Sequence, residues 1–306
     1  MPPLAAMPRL CAGAGEKRVA HIVIPPPSAQ SYAKVAQNVR KFTHATRMEY
    51  VSIAEAQAIS GLRLVLSAGV PGPWGEGAKG LFAARSVEYV PVAQLVTQPN
   101  EDLKAWTGHR NAPTAMLDDE PARIRWYEMV ALAERLGTGA SLLPTDEALR
   151  VAAVGICHEL CSEDGFGWNR RIAMISRGAN HETATDEQRA ASRSFGQLYG
   201  YRDEIVPRAI QRQVAILSML AHRLERQQSG GSNYLIGETV TAADIYWACF
   251  AALLEPLPQE LCAMPERLRQ NYANVDTEVR AQVDIPRLLA HRDFVYANHL
   301  ATPLDF

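Results

Sequence analysis

The chain has 306 residues, 47% apolar and 21% charged, with a formal net charge of −2, which is a globular composition with room for one large domain or two smaller ones. So balanced a charge supplies no global positive field of the kind that draws proteins onto nucleic acid or anionic membrane, and neither is expected as a partner. The five cysteines (Cys11, Cys157, Cys161, Cys249 and Cys262) are too sparse and odd in number for a disulfide scaffold, and no apolar run approaches the ~20 residues of a membrane-spanning helix, so a soluble, cytoplasmic protein is expected.

The first 47 residues carry Arg9, Lys17, Arg18, Lys34, Arg40, Lys41 and Arg47 against the single acid Glu16. This basic arm lacks the apolar stretch of a secretory signal. Its charge leaves a transit peptide open, and Pro25, Pro26 and Pro27 suit a flexible extension. Residues 1–60 are read as a partly disordered extension, with a short helix over Ala29 to Val39.

Leu62 to Ser67 has strand length and runs into a Gly and Pro cluster, 69 to 75. Trp74 to Ala84 follows as a short helix, and Val87 to Val92 as a second strand that Pro91 restricts to an edge. Glu101 to Thr107 reads as a polar connection. Ala112 to Leu117 is extended, 118 to 121 is a turn, and Ala122 to Trp126 is the returning strand. Glu128 to Leu136 is helical, and Gly137 suits the position after a helix end. After a linker over Thr138 to Pro144 the pattern turns all-helical: Leu149, Ala152, Ala153, Ile156 and Leu160 keep a helical spacing, and Val206, Ile210, Val214, Leu217, Ala221 and Leu224 step by 4, 4, 3, 4 and 3. An α/β half, 61–137, is thus followed by an all-helical half, 145–306.

Three segments stand out. Ala112-Pro113 lies between a polar stretch and a strand. Glu128 opens the helix ending at Leu136, with Met129 beside it. Gly237 to Ile245 contains Thr241 and Asp244, spaced to cap a helix start reciprocally. Together they resemble the cytosolic glutathione S-transferase family over roughly Leu62 to Leu254, as an atypical member. The resemblance implies a thioredoxin-like half followed by a helical bundle, glutathione as cosubstrate, and a homodimer. It also implies a cis-proline corner at Ala112-Pro113, whose backbone pairs with the extended tripeptide. Glu128 and Met129 match the acid and serine that hold the γ-glutamyl end, with methionine in place of the serine.

The family's activating Ser, Cys or Tyr stands where the first strand meets the first helix, and alignment puts Val70 at the serine or cysteine position and Leu66 near the tyrosine one. Neither side chain can stabilise a thiolate. Ser67 is the nearest hydroxyl and the candidate catalytic group, although a serine ending a strand also bonds to its own backbone. The backbone amides of Trp74 to Glu76 are the other candidate donors. Trp74 either walls the pocket or is a structural indole. Trp168 and Arg171, in Gly167 to Arg171, could line a second-substrate pocket, bind an anion, or form a salt-bridged corner.

Two further patterns carry less. Gly75-Glu76-Gly77-Ala78-Lys79-Gly80 is formally G-x-G-x-x-G, but 68 to 74 intervene after the strand and no acid ends the next one, which argues against a dinucleotide fold. Cys157 and Cys161 are four apart with His158 between them, a metal-like spacing without a second pair nearby, and small apolar residues in a helix interface explain it better. The leading reading is a glutathione S-transferase-like protein transferring the glutathione thiol to a small hydrophobic electrophile. The alternative is a non-catalytic protein that keeps the fold for ligand binding or partner contacts. A thiol–disulfide oxidoreductase is set aside, because no cysteine lies between Cys11 and Cys157.

Overall fold

A computed structural model describes residues 48–96 and 98–306. The basic arm and the expected helix at 29–39 lie outside the described residues. Residues 48–60, grouped above with the extension, join the fold. Val51 bridges Val92 in parallel, and α1 (Ile53–Ala58) is started by Ser52 and Glu55, each bonding the other's amide.

The sheet is built on β1 (Leu62–Ser67), with β2 (Val90–Gln94) parallel on one side and β3 (Thr114–Leu117) antiparallel on the other. β1 is covered on both faces, which is why it reads as a continuous apolar run rather than an alternation. Leu62, Leu64 and Leu66 face α2 (Pro73–Ala84) and α4 (Trp126–Leu136) in the main core, while Val65 packs with Ala56 and Leu103. The second strand starts three residues and ends two residues later than expected, and holds Pro91 at its outer edge, where the proline carbonyl accepts from Val51 N. Glu101–Thr107, expected as a polar connection, is a helix, α3, that buries only Leu103 and Thr107. The expected returning strand is reduced to a bridge between Ala115 and Arg123.

The linker is tied down by Arg85, whose guanidinium donates to the carbonyls of Gly137, Gly139 and Ala140. The second half comprises α5 (Glu147–Cys161), α6 (Phe166–Ala179), α7 (Asp186–Gln197), α8 (Val206–Ser229), α9 (Ala242–Phe250), α10 (Glu266–Ala273), α11 (Thr277–Gln282) and α12 (Ile285–His299). Helix α9 is buried throughout. The expected capping pair stands at its start. Asp244 reaches back to the Thr241 amide at 2.8 Å, and the Thr241 hydroxyl also donates to that carboxylate at 2.7 Å. Asp244 also accepts from Leu235 N (2.7 Å) and contacts His291 Nε2 (3.0 Å), so one buried carboxylate joins α9, the preceding loop and α12.

Helix α2 packs against α9 through glycines. A Cβ on Gly77 would lie 2.6 Å from the Tyr246 ring, and one on Gly80 would lie 2.9 Å from both Ile245 and Leu300. The formal glycine motif therefore serves close helix packing. Among the described residues no helix is long and apolar enough to cross a membrane.

Candidate functional site

The register of β1 with β3 ends at Val65 opposite Thr114. The ladder stops there because the chain bends at Ala112 and Pro113, so it does not reach Leu66 and Ser67, at the strand end from which the α2 loop departs. The Ala112–Pro113 peptide is cis. Ser67 ends β1, Val70 lies in the loop that follows it, and Ala112 and Pro113 form the bend just before β3.

The Ser67 hydroxyl donates to Gln94 Oε1 at 2.9 Å, and Gln94 Nε2 donates onward to Arg110 O at 3.3 Å. The hydroxyl singled out from sequence therefore links β1 to β2 and the loop before Ala112. Val70 is half-buried and its amide turns back onto Ser67 O. Of the three amides at the start of α2, that of Glu76 already enters the helical ladder by donating to Gly72 O, so those of Trp74 and Gly75 remain in the first turn.

Trp74 lies against the other half. Its indole stacks edge-on with Phe250 at 4.8 Å, rests on Gly167 at the start of α6, and donates from Nε1 to Cys161 O at 2.9 Å. The start of α4 meets the same place. Trp126 Nε1 donates to Ser162 Oγ at 2.7 Å, and Tyr246 OH holds the Trp126 carbonyl at 2.9 Å. Ser162 Oγ also lies 2.9 Å from His158 Nδ1. Two helix starts from the α/β half thus converge on residues 161 and 162 at the end of α5.

The remaining expected site residues make contacts within the protein. Glu128 spends its carboxylate on its own helix start, with Oε2 accepting from Ile124 N and Arg125 N at 2.8 Å each. Met129 is fully buried in the main core. Glu76 is buried against Lys79 at 3.0 Å, and Lys79 Nζ also donates to Asp305 O. Burial raises the Glu76 carboxyl above the usual carboxylate range despite that lysine. Trp168 and Arg171 belong to a separate cluster around Tyr199. The Trp168 indole donates to Tyr199 O at 3.1 Å, and the Arg171 guanidinium lies 6.0 Å from the Tyr199 ring centre. Cys157 and Cys161 are buried in the helix interface, and among the described residues no group of three or more His, Cys, Asp or Glu is placed to hold a metal.

Sequence reasoning missed Trp126, Ser162 and His158 as a group. The indole and the hydroxyl are 36 residues apart, and no local pattern joins them.

No family model matches the sequence, and no curated protein matches it. Solved structures do. A glutathione S-transferase from Methylobacterium radiotolerans, in complex with glutathione sulfonate, superposes with a TM-score of 0.51 at 13% identity, over 78% of this chain and 92% of that one. A glutathione transferase family member from Pseudomonas fluorescens, with two glutathione bound, gives 0.51 at 14% identity, over 80% and 94%. The chain has the glutathione-transferase fold, a thioredoxin-like half followed by a helical bundle.

Proposed function

We propose that the chain binds glutathione at Ser67, Val70, Ala112 and Trp74, and that it transfers the glutathione thiol to a small hydrophobic electrophile. In this reading residues 61–137 carry the tripeptide, 145–306 supply the electrophile pocket, and the protein is a homodimer. The observation that carries it is the fold, shared with two structures that hold glutathione or its sulfonate. The Ala112 backbone at the end of β3 suits pairing with an extended peptide, and the first-turn amides of α2 suit a developing thiolate.

A second reading, binding without turnover, is favoured by one observation: Ser67 and Glu128, the polar side chains assigned to the site, are both spent inside the protein. Calorimetric titration with glutathione, followed by turnover of a panel of electrophiles, separates the two. No heat at about millimolar glutathione, where even weak specific binding registers, rejects the enzyme reading and leaves a non-catalytic protein that keeps the fold for another ligand or for partner contacts. Binding without turnover on any electrophile selects the second.

A further inference from the structure

Val70 has no donor, and the Ser67 hydroxyl is committed to Gln94. A different hydroxyl stands at the junction of the two halves. Ser162 is half-buried where α5 ends, flanked by exposed His158 and by the first turn of α4. An indole nitrogen can only donate, so the 2.7 Å contact from Trp126 fixes Ser162 Oγ as an acceptor. A hydroxyl has two acceptor positions and one proton. When His158 carries its proton on Nδ1, the 2.9 Å contact fills the second acceptor position, and the Ser162 proton is left to turn outward. Accepting two hydrogen bonds also makes that O–H a stronger donor, because chained hydrogen bonds polarise one another.

The location matches the chemistry. Trp74, at the start of α2, is bonded to Cys161 O, the residue immediately before Ser162. Both tryptophan contacts therefore fall at the same helix end, on the neighbouring residues Cys161 and Ser162.

We infer that Ser162 is the hydroxyl that donates to the sulfur of bound glutathione, with Trp126 and His158 as its positioning residues. This rests on the glutathione-binding reading above. The thiol gives its proton to solvent, and the Ser162 O–H donates to the resulting thiolate without itself being deprotonated. The helical half supplies the function that Val70 cannot.

The test measures two quantities on the full chain, wild type, Ser162→Ala and Ser162→Thr. The first is the affinity for S-methylglutathione by calorimetry. The second is the ultraviolet absorbance of the bound glutathione thiolate as a function of pH. The expected result is an affinity for S-methylglutathione unchanged within about threefold in Ser162→Ala, with the bound thiol titrating about one unit higher, so that the thiolate fraction falls about tenfold at pH values well below the wild-type titration point and by less near it. Ser162→Thr, which keeps a hydroxyl, restores the wild-type titration. An identical thiolate titration in wild type and Ser162→Ala overturns the inference and leaves glutathione binding standing. So does a wild type whose bound thiol titrates as it does free in solution. A wild type that binds neither ligand overturns the reading on which the inference rests.

Discussion

Trp74 and Trp126 open two different helices and donate to consecutive residues of a third, Trp74 Nε1 to Cys161 O at 2.9 Å and Trp126 Nε1 to Ser162 Oγ at 2.7 Å. The α/β half is thereby pinned to the helical half at the edge of the candidate site. Both indoles are only half-buried, so their polar tips and not burial alone orient them. Trp126→Phe keeps the ring packing but removes the donor, and is expected to lower unfolding stability by about 0.5–1.5 kcal/mol, measured by urea titration. A Trp126→Phe protein as stable as wild type would mean that the bond adds nothing to packing.

The glycines of α2 make a second prediction. Alanine normally stabilises a helix interior by up to about 1 kcal/mol over glycine, but at Gly77 its Cβ would press to 2.6 Å on Tyr246. Gly77→Ala is expected to destabilise by about 1–3 kcal/mol, as overpacking does. Gly155, inside α5 on its exposed face, has nothing within 4 Å of the place an alanine methyl group would occupy. Gly155→Ala is expected to stabilise by up to about 1 kcal/mol. Opposite signs in thermal melts of the two variants support the packing account.

Much of this architecture is legible in the residues. β1, α2, α4, α5 and α8 fall where apolar runs and helical spacing place them, because each buries a continuous stripe or face. Helix α3 is not legible, since Glu101–Thr107 buries only Leu103 and Thr107 and offers no period to read. The returning strand shrinks to a single bridge at Arg123 because the chain turns directly into α4. At the site, Ser67 at the end of β1 and Ala112 just before β3 follow from the strand pattern and are readable. The commitment of Ser67 to Gln94, 27 residues on, and the meeting of Trp126 with Ser162 depend on tertiary packing. Glu128 is legible as a first-turn acid, and its Oε2 accepts from the amides of Ile124 and Arg125 at its own helix start.

Asp244 predicts a large effect on stability. Its carboxylate is fully buried and accepts from Leu235 N, Thr241 N and Thr241 Oγ1 while contacting His291. Asp244→Ala leaves two backbone amides and a histidine without their acceptor. A loss of about 2–5 kcal/mol is expected, because each buried donor left without its acceptor costs about 1–3 kcal/mol, with failure to accumulate as folded protein as the extreme outcome. A loss below about 1 kcal/mol, the size of one ordinary hydrogen bond, would refute the role of Asp244 as a hub.

The described cysteines are expected to be inert in the folded protein. All four are buried. Burial pushes the thiols of Cys157 and Cys161 up, that of Cys249 up to about 12, and that of Cys262 up to about 11. The thiolate is the reactive form, so a thiol reagent at neutral pH should modify these four only after denaturant is added. Peptide mapping that finds any of them labelled in native protein would contradict their burial.

The Glu76 carboxyl gives a pH dependence whose sign is fixed by its surroundings. Burial raises it above its ordinary value and Asp305 adds to the rise, while Lys79 opposes both without cancelling them. The folded protein therefore holds this proton more tightly than the unfolded chain, and stability must fall with rising pH wherever that difference is felt. The contribution of Glu76 is greatest below the ordinary carboxylate range and declines as pH rises through it towards the raised value. Glu76→Gln cannot ionise and lacks this slope. The stability of wild type relative to Glu76→Gln is accordingly expected to fall as pH rises from about 4, the ordinary carboxylate value, measured by urea titration at each pH. A difference that grows with pH instead would show that the 3.0 Å pairing with Lys79 outweighs burial, and that the ion pair rather than the protonated acid is the form the fold selects.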